Sequence, residues 1–133
     1  MSQNVDIVRR VMRRVGDGDL DAALGDVAPD AELDWSDSLA PDGGVYRGRA
    51  EWRAWFHGRE EGLSELRFDT TEVMDASSDT VLTVARLQAR GRASGIEVEA
   101  LGAAVWKLRD GMVTALTLYQ TRDEALRALG LAD

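Results

Sequence analysis

The sequence has no cysteine, two prolines, one lysine and one histidine among its 133 residues. Without cysteine the chain can form neither a disulfide nor a thiolate metal site, and we expect a cytoplasmic protein. No apolar run approaches the roughly 18 residues of a membrane span, so we expect no membrane association. The opening residues, MSQNVDIVRR, lack the basic and then apolar pattern of a secretion signal.

Cationic residues are outnumbered: 24 aspartates and glutamates face 16 lysines and arginines, for a net charge of −8. Nucleic acid is therefore an unfavourable partner, because its phosphates would be repelled. The chain is 44% hydrophobic, which suffices for a real core, and its length suits one domain over residues 1–133.

The N-terminal third has the spacing of helices. Apolar residues recur every three or four positions in VDIVRRVMRRV, and glycines end that helix at Gly16 and Gly18. Asp19 is a natural N-cap for a second, short helix that stops before Pro29. A third helix is predicted to begin near Gly48.

Strand patterns occupy most of the remainder. AELDW reads as a short strand with Leu33 and Trp35 on one face, and SDSLAPDGG is a loop by composition. After Gly62 the apolar period becomes two, which predicts a meander of four strands over 66–74, 80–92, 95–108 and 112–120. Residues 121–131 form a last amphipathic turn or two. Helices gathered before such a sheet pack on one of its faces, which makes an α+β fold.

Five stretches resemble the SnoaL-like family of the NTF2-like superfamily. They are GDGDLDAAL (16–24), AELDW (31–35), GGVYRGRAEWRAWF (43–56), VWKLRDGMV (105–113) and YQTRDEAL (119–126). The resemblance implies a cone in which three N-terminal helices pack on a strongly curved, mixed or antiparallel sheet and enclose a pocket. It leaves the chemistry open, because the superfamily includes cyclases, isomerases, hydrolases, dehydratases and binding proteins.

Strand register predicts which residues face that pocket. If RDG forms a three-residue hairpin loop, Leu108 lies opposite Met112. The same register places Trp106 opposite Thr114, Ala104 opposite Leu116, Gly102 opposite Leu118 and Ala100 opposite Gln120. On the preceding strand the matching row is Leu82, Val84, Arg86, Gln88 and Arg90. A slip of one residue near Ser94 and Gly95 would invert that row.

The catalytic patterns of the superfamily are mostly missing. The resemblance places the ketosteroid isomerase base on Trp35, its tyrosine on Val11 and its second acid on Ala104. The Asp–Arg–Asp arrangement of epoxide hydrolases fails because Gln88 follows Arg86 by two residues. Neither mechanism is therefore expected.

Asp37 is the remaining candidate acid. If the first strand extends that far, Asp37 shares the face of Trp35, where desolvation would raise its pKa toward a general-base range. Arg86 would then orient the carboxylate or bind an anionic substrate group. The alternative is that Asp37, within Ser-Asp-Ser, is a turn residue bonded to its own backbone.

An aromatic cluster provides the candidate ligand wall. Three of its members, Trp52, Trp55 and Phe56, share one helical stripe and serve either as core or as ligand contacts. His57 falls on the polar side of that helix. The full set of predicted ligand-binding residues is Trp35, Trp52, Trp55, Phe56, Arg90, Ala104, Trp106, Leu116, Leu118 and Gln120. We expect no metal, since the chain has no histidine or cysteine cluster, and no cofactor.

Two functions are open. One is a cofactor-independent lyase, isomerase or cyclase that acts on a hydrophobic metabolite, with Asp37 as base and Arg86 and Gln120 polarising a carbonyl. The other is a non-catalytic module that binds a small apolar ligand. A mostly apolar outer sheet face, with the resemblance, also predicts a homodimer through that face. Its residues are Leu101, Ala103, Val105, Val113, Ala115, Thr117 and Tyr119.

Overall fold

A computed structural model describes residues 3–36 and 43–131. Four helices and six strands follow one another along the chain. They are α1 (Gln3–Gly16), α2 (Leu20–Leu24), β1 (Val27–Asp34), β2 (Val45–Arg47), α3 (Gly48–Gly62), β3 (Leu63–Ser77), β4 (Thr80–Gly91), β5 (Glu97–Arg109), β6 (Met112–Tyr119) and α4 (Arg122–Ala128). No helix within the described ranges is both long and apolar enough to cross a membrane.

The helices begin where the sequence predicts, but α2 ends earlier, at Leu24, because strand β1 already begins at Val27 and includes Pro29. The carboxylate of Asp19 accepts a hydrogen bond from the backbone N–H of Ala22, so it caps α2. The apolar side of α1 is buried through Ile7, Val8 and Val11. These contacts place α1 against the sheet, as the periodicity of its apolar residues requires.

The six strands form one mixed sheet in the order β2-β1-β6-β5-β4-β3. Every neighbouring pair is antiparallel except β1 and β6, which run parallel. The sheet is curved and does not close, and the predicted α+β class is confirmed. Strand β2 was not predicted from the sequence, where its three residues precede α3 without an alternating pattern.

The hairpin between β5 and β6 is tighter than predicted. Arg109 lies opposite Met112, so the loop has two residues, Asp110 and Gly111, with φ of 53° and 80°. Two consecutive positive φ angles match a type I′ turn, for which Asp-Gly is a preferred sequence. The predicted three-residue loop, with Leu108 opposite Met112, is therefore wrong.

An irregularity in the same hairpin shifts the register again. Beyond it Trp106 lies opposite Leu116 and Ala104 opposite Leu118, two positions from the predicted partners. An even shift leaves each side chain on its predicted face, because alternation in a strand has a period of two. The predicted partners are thus wrong, whereas the predicted faces of β5 and β6 are right beyond the irregularity. Before it, Val113, predicted on the outer face, is fully buried in the core beside its partner Leu108.

Strand β4 shows the opposite face from the one predicted. Ala85 lies opposite Gly102 and Arg86 opposite Leu101, which places Ala85 on the concave side and Arg86 on the outer side. Arg86 there approaches Glu99 at 3.5 Å, and Arg90 pairs with carboxylates of neighbouring strands. The one-residue slip that the turn permitted has occurred.

The outer sheet face is partly covered by α4. Ala125 of that helix is fully buried and belongs to a second apolar cluster with Leu82, Val84, Ala103 and Val105. Three residues of the predicted outer patch are therefore buried within the chain itself: Ala103 and Val105 in this cluster, and Val113 in the core on the other side of the sheet. Leu101 remains 60% exposed.

A partly buried ion-pair cluster attaches α1 to the start of the sheet. Two guanidinium nitrogens of Arg10 donate to the Asp26 carboxylate at 2.8 Å each, and Arg14 donates to it at 3.0 Å. These hydrogen bonds, the one from Arg10 above all, hold the pKa of Asp26 below its usual value. The backbone carbonyl of Asp26 also accepts from Val113 at 2.9 Å, so one residue connects helix, strand β1 and strand β6.

Candidate functional site

A cavity of about 440 Å³ lies between the helices and the concave face of the sheet. Met12 and Val15 of α1 and Trp55 and Phe56 of α3 form its helical wall, and Trp35 closes it just after β1. The sheet wall includes Thr83, Ala85 and Leu87 from β4, Ala100, Gly102, Ala104 and Trp106 from β5, and Leu116 and Leu118 from β6. Leu101 and Ala103, which alternate with these residues on β5 and face the outer side, also border the cavity. Tyr119 and Gln120 also border it.

Aromatic side chains pack against one another on the α3 side of the cavity. Trp55 is at its centre, with ring centroids 5.9 Å from Trp35, 4.8 Å from Phe56 and 6.4 Å from Tyr46. The first two pairs are edge-to-face, at 71° and 82°, which is a favoured arrangement of aromatic quadrupoles. Such packing positions the rings of Trp35, Trp55 and Phe56 against one another.

A buried hydrogen bond orients the aromatic ring on the sheet side. Trp106 Nε1 donates to Thr83 Oγ1 at 2.9 Å, across the β4–β5 pair. Both residues are buried, and the indole N–H would be costly to desolvate without an acceptor. This bond fixes the indole plane of Trp106 where it borders the cavity.

Trp52 belongs to the core and not to the cavity wall. Its ring is 2% exposed, and Nε1 donates to the carbonyl of Ala31 at 3.0 Å. The bond ties α3 to β1 and turns the indole between them. Of the two roles considered for Trp52, core packing is therefore the one that the structure supports.

The other predicted residues, ligand-binding and catalytic, separate by their position relative to the cavity. The structure brings together at the cavity Trp35, Trp55, Phe56, Ala104, Trp106, Leu116, Leu118 and Gln120. Arg86 and Arg90 lie on the outer face, where Arg90 contacts Glu65 at 3.3 Å and Glu97 at 3.0 Å. The proposed base, Asp37, lies outside the described residues.

Sequence reasoning missed the cavity residues of α1 and β4. On β4 a signal was available: the row of Ala85 and Leu87 is apolar, whereas the row of Arg86 and Arg90 is charged. An apolar row prefers the side away from water. Met12 and Val15 were recognised as part of a helical stripe, but a stripe does not show where a core is hollow.

The described lining contains no aspartate, glutamate, histidine, lysine or arginine. The carboxyls with displaced pKa values lie elsewhere: a hydrogen bond from Arg122 lowers the pKa of Glu72, and hydroxyls of Thr80 and Ser77 lower that of Asp79. Within 3–36 and 43–131, no three potential ligands among His, Cys, Asp and Glu are grouped to hold a metal ion. The described wall can exclude water and hold an apolar molecule. Its polar side chains are Thr83 and Gln120, since the side chain of Tyr119 packs on the outer-face cluster.

Helices packed on a curved, unclosed mixed sheet around an apolar cavity define an NTF2-like protein. The SnoaL-like domain family matches residues 8–116, most of the chain. The protein therefore belongs to the SnoaL-like family, and the family resemblance seen in the sequence is confirmed.

Solved structures agree on the fold. An NTF2-like protein of unknown function from Burkholderia pseudomallei is similar with a TM-score of 0.81 and 21% identity, over 97% of this chain and 98% of that one. TerC, co-crystallised with polyporic acid, has a TM-score of 0.79 and 18% identity over 97% and 99%. A candidate SnoaL-like polyketide cyclase from Jannaschia sp. CCS1 has a TM-score of 0.76 and 21% identity over 98% and 93%.

At these identities the solved structures define architecture and not chemistry. No curated protein matches the sequence.

Proposed function

We propose that this protein binds an uncharged, largely apolar small molecule in the cavity between α1, α3 and the sheet. The observation that carries the proposal is the combination of a cavity of about 440 Å³ with a described lining that has no charged side chain. Ligand sites in proteins commonly have volumes of about 300–1,000 Å³ and are mostly apolar with a few polar groups. Thr83 and Gln120 are suitable polar groups here.

Charge selectivity follows from the same lining. A charged ligand that leaves water needs a counter-ion or several hydrogen bonds at its destination, and otherwise its transfer is strongly unfavourable. The protein's net charge of −8 adds a long-range penalty against anions. Neutral ligands should therefore be preferred over anions of the same shape.

The test compares two probes that share a naphthylamine skeleton. N-phenyl-1-naphthylamine is neutral, and 8-anilinonaphthalene-1-sulfonate carries a sulfonate. We expect the neutral probe to bind at least about tenfold more tightly, equivalent to ~1.4 kcal/mol. Tighter binding of the sulfonate, or no binding of either probe, would contradict the proposal.

A variant pair locates the probe. Ala85→Leu places a larger side chain into the cavity, whereas Ala115→Leu makes the same change on β6 where the residue borders the other side of the sheet. Loss of the neutral probe only in Ala85→Leu is expected. Equal loss in both variants would indicate that binding responds to a change in the fold and not to the cavity.

Catalysis on the bound molecule is the second candidate. Its support is the family, which includes polyketide cyclases among proteins of this fold, and the position of Asp37 two residues after the cavity residue Trp35. In this proposal Asp37 is the general base of a cofactor-independent lyase, isomerase or cyclase. Arg86 is no longer included, because it lies on the outer face.

Asp37→Asn tests the catalytic proposal on any compound that solvent extraction recovers from the purified protein. Turnover should fall at least about 100-fold with unchanged binding, the usual range for a lost general base. Asp42→Asn, in the same stretch of sequence, is the matched control. Equal activity in wild type and Asp37→Asn would remove Asp37 from the mechanism.

A homodimer through the outer sheet face remains a proposal as well. Its support is Leu101, 60% exposed beside the Arg86–Glu99 ion pair, where a second copy could cover apolar surface and exchange charges. Sedimentation velocity should show a dimer that Leu101→Arg dissociates, while Val45→Arg, on β2, leaves it intact. A monomeric wild type would contradict this. Cytoplasmic location and independence of cofactors stay predictions.

A further inference from the structure

Gly102 is a glycine in the middle of a long central strand. Strand β5 pairs with β4 without interruption from Glu97 to Lys107, and Gly102 lies opposite Ala85 within that run. A glycine here weakens a strand, because it loses more conformational entropy on folding than other residues and has no side chain to pack. Some other requirement must favour it.

The backbone does not supply that requirement. Gly102 is not among the described glycines with positive φ, in contrast to Gly95 and Gly111. The β4–β5 register passes it without a bulge. A Cβ built on Gly102 would meet only the carbonyl oxygen of Tyr119, at 3.7 Å, which is ordinary van der Waals contact. The folded chain could therefore accommodate a side chain at this position.

The space that such a side chain would enter is the cavity. Gly102 lies between Ala100 and Ala104 on the concave face, beside Ala85 of β4, and all four border the cavity. We propose that Gly102 is a specificity-determining residue, whose missing side chain sets the largest ligand that the cavity accepts. This inference rests on the proposed binding of a neutral apolar ligand and names the position that limits its size.

The experiment measures two neutral probes by calorimetry, N-phenyl-1-naphthylamine as the large one and toluene as the small one. Gly102→Val should bind the large probe at least about tenfold more weakly and toluene within about threefold of wild type, because added methyl groups exclude atoms of the larger ligand. Gly102→Ala should show a smaller loss. Its Tm should rise by about 2–4 °C, since alanine is better suited to a strand.

Ala115→Val is the matched control, since Ala115 lies on the neighbouring strand and borders the opposite side of the sheet. It should bind both probes like wild type. If Gly102→Val lowers Tm strongly, the affinities of Gly102→Ala for the two probes decide whether Gly102 limits ligand size. That variant adds only one methyl group, at a position with room for it.

The outcomes separate the two proposals. Unchanged affinity of both Gly102 variants for the large probe would overturn the role of Gly102 and leave the proposed function standing. Equal weakening for both probes would also overturn it, because a size limit must discriminate between them. If wild type binds neither probe, the proposed function fails and the role of Gly102 fails with it.

Discussion

The hydrogen bond between Trp106 and Thr83 should contribute measurably to stability. Thr83→Val removes the acceptor of the 2.9 Å bond and nearly preserves the shape of the side chain. Thr83 is 2% exposed and Trp106 6%, so water cannot easily replace the lost acceptor. A buried donor left unsatisfied costs about 1–3 kcal/mol, and we expect the free energy of unfolding to fall by that amount.

Urea denaturation followed by tryptophan fluorescence measures the loss. The midpoint should fall with an unchanged m-value, which indicates a change in stability and not in the extent of unfolding. Thr114→Val is the control, because the hydroxyl of Thr114 donates to the backbone carbonyl of Lys107 at an exposed position. A change within about 0.5 kcal/mol is expected there.

A double-mutant cycle with Trp106→Phe isolates the bond from the size of the ring. The double variant should lose less than the sum of the single variants, by about 0.5–1.5 kcal/mol. Strict additivity, or a loss below about 0.5 kcal/mol in Thr83→Val, would refute the view that this bond holds the indole at the cavity.

Two further predictions concern the ion-pair cluster and the hairpin. Asp26→Asn should reduce stability by about 1–2 kcal/mol at pH 7, because the carboxylate accepts from Arg10 in a partly buried site. Because the pKa of Asp26 is lowered in the folded state, the loss in free energy of unfolding should be constant near neutral pH and shrink below about pH 4. Denaturation measured as a function of pH tests this, with Asp21→Asn at an exposed ion pair as the control. A loss that grows with acid would contradict the prediction. Gly111→Ala should lower the free energy of unfolding by about 1–2 kcal/mol in thermal denaturation, because the φ angle of Gly111 is +80°. Gly58→Ala, in α3 with open space around the added methyl group, should raise it by about 0.5–1 kcal/mol. Equal effects of the two substitutions would argue against the type I′ turn.

The face of β4 shows why strand patterns have a limit here. Residues 80–84 are all buried, because the cavity side and α4 cover both faces of the sheet at that point. Alternation therefore disappears where it would have been most useful, since a strand covered on both sides reads as a continuous apolar run. Only the later part of the strand, where Arg86 and Arg90 face outward, distinguishes the cavity side from the outer side.

The hairpin shows how a local error can leave a site prediction intact. Asp110-Gly111 is a recognisable two-residue turn, but the irregularity after it leaves no mark in the sequence. The two corrections together move the register by an even number of residues. Ala104, Trp106, Leu116 and Leu118 were thus assigned to the cavity side for a reason that was partly wrong.

The pairing of strands distant in sequence could not be predicted from local sequence patterns. The parallel contact of β1 with β6 joins residues about eighty positions apart, and nothing in either strand identifies its partner. Helix positions, caps and the meander could be read because their determinants lie within a few residues of one another. The cavity could not be predicted from the sequence, because a void depends on how several segments pack and not on any one of them.

The pairing of an early strand with a late one has a consequence for biosynthesis. Leu33 cannot pair with Leu116 until the roughly eighty residues between them have been synthesised. Until then the N-terminal segments lack the central support of the sheet, and contacts of such high sequence separation are slow to form. A nascent chain should therefore form the cavity between helices and sheet late and nearly all at once. A pause in translation before residue 116 would leave an intermediate with exposed apolar surface that is prone to aggregate and to bind chaperones.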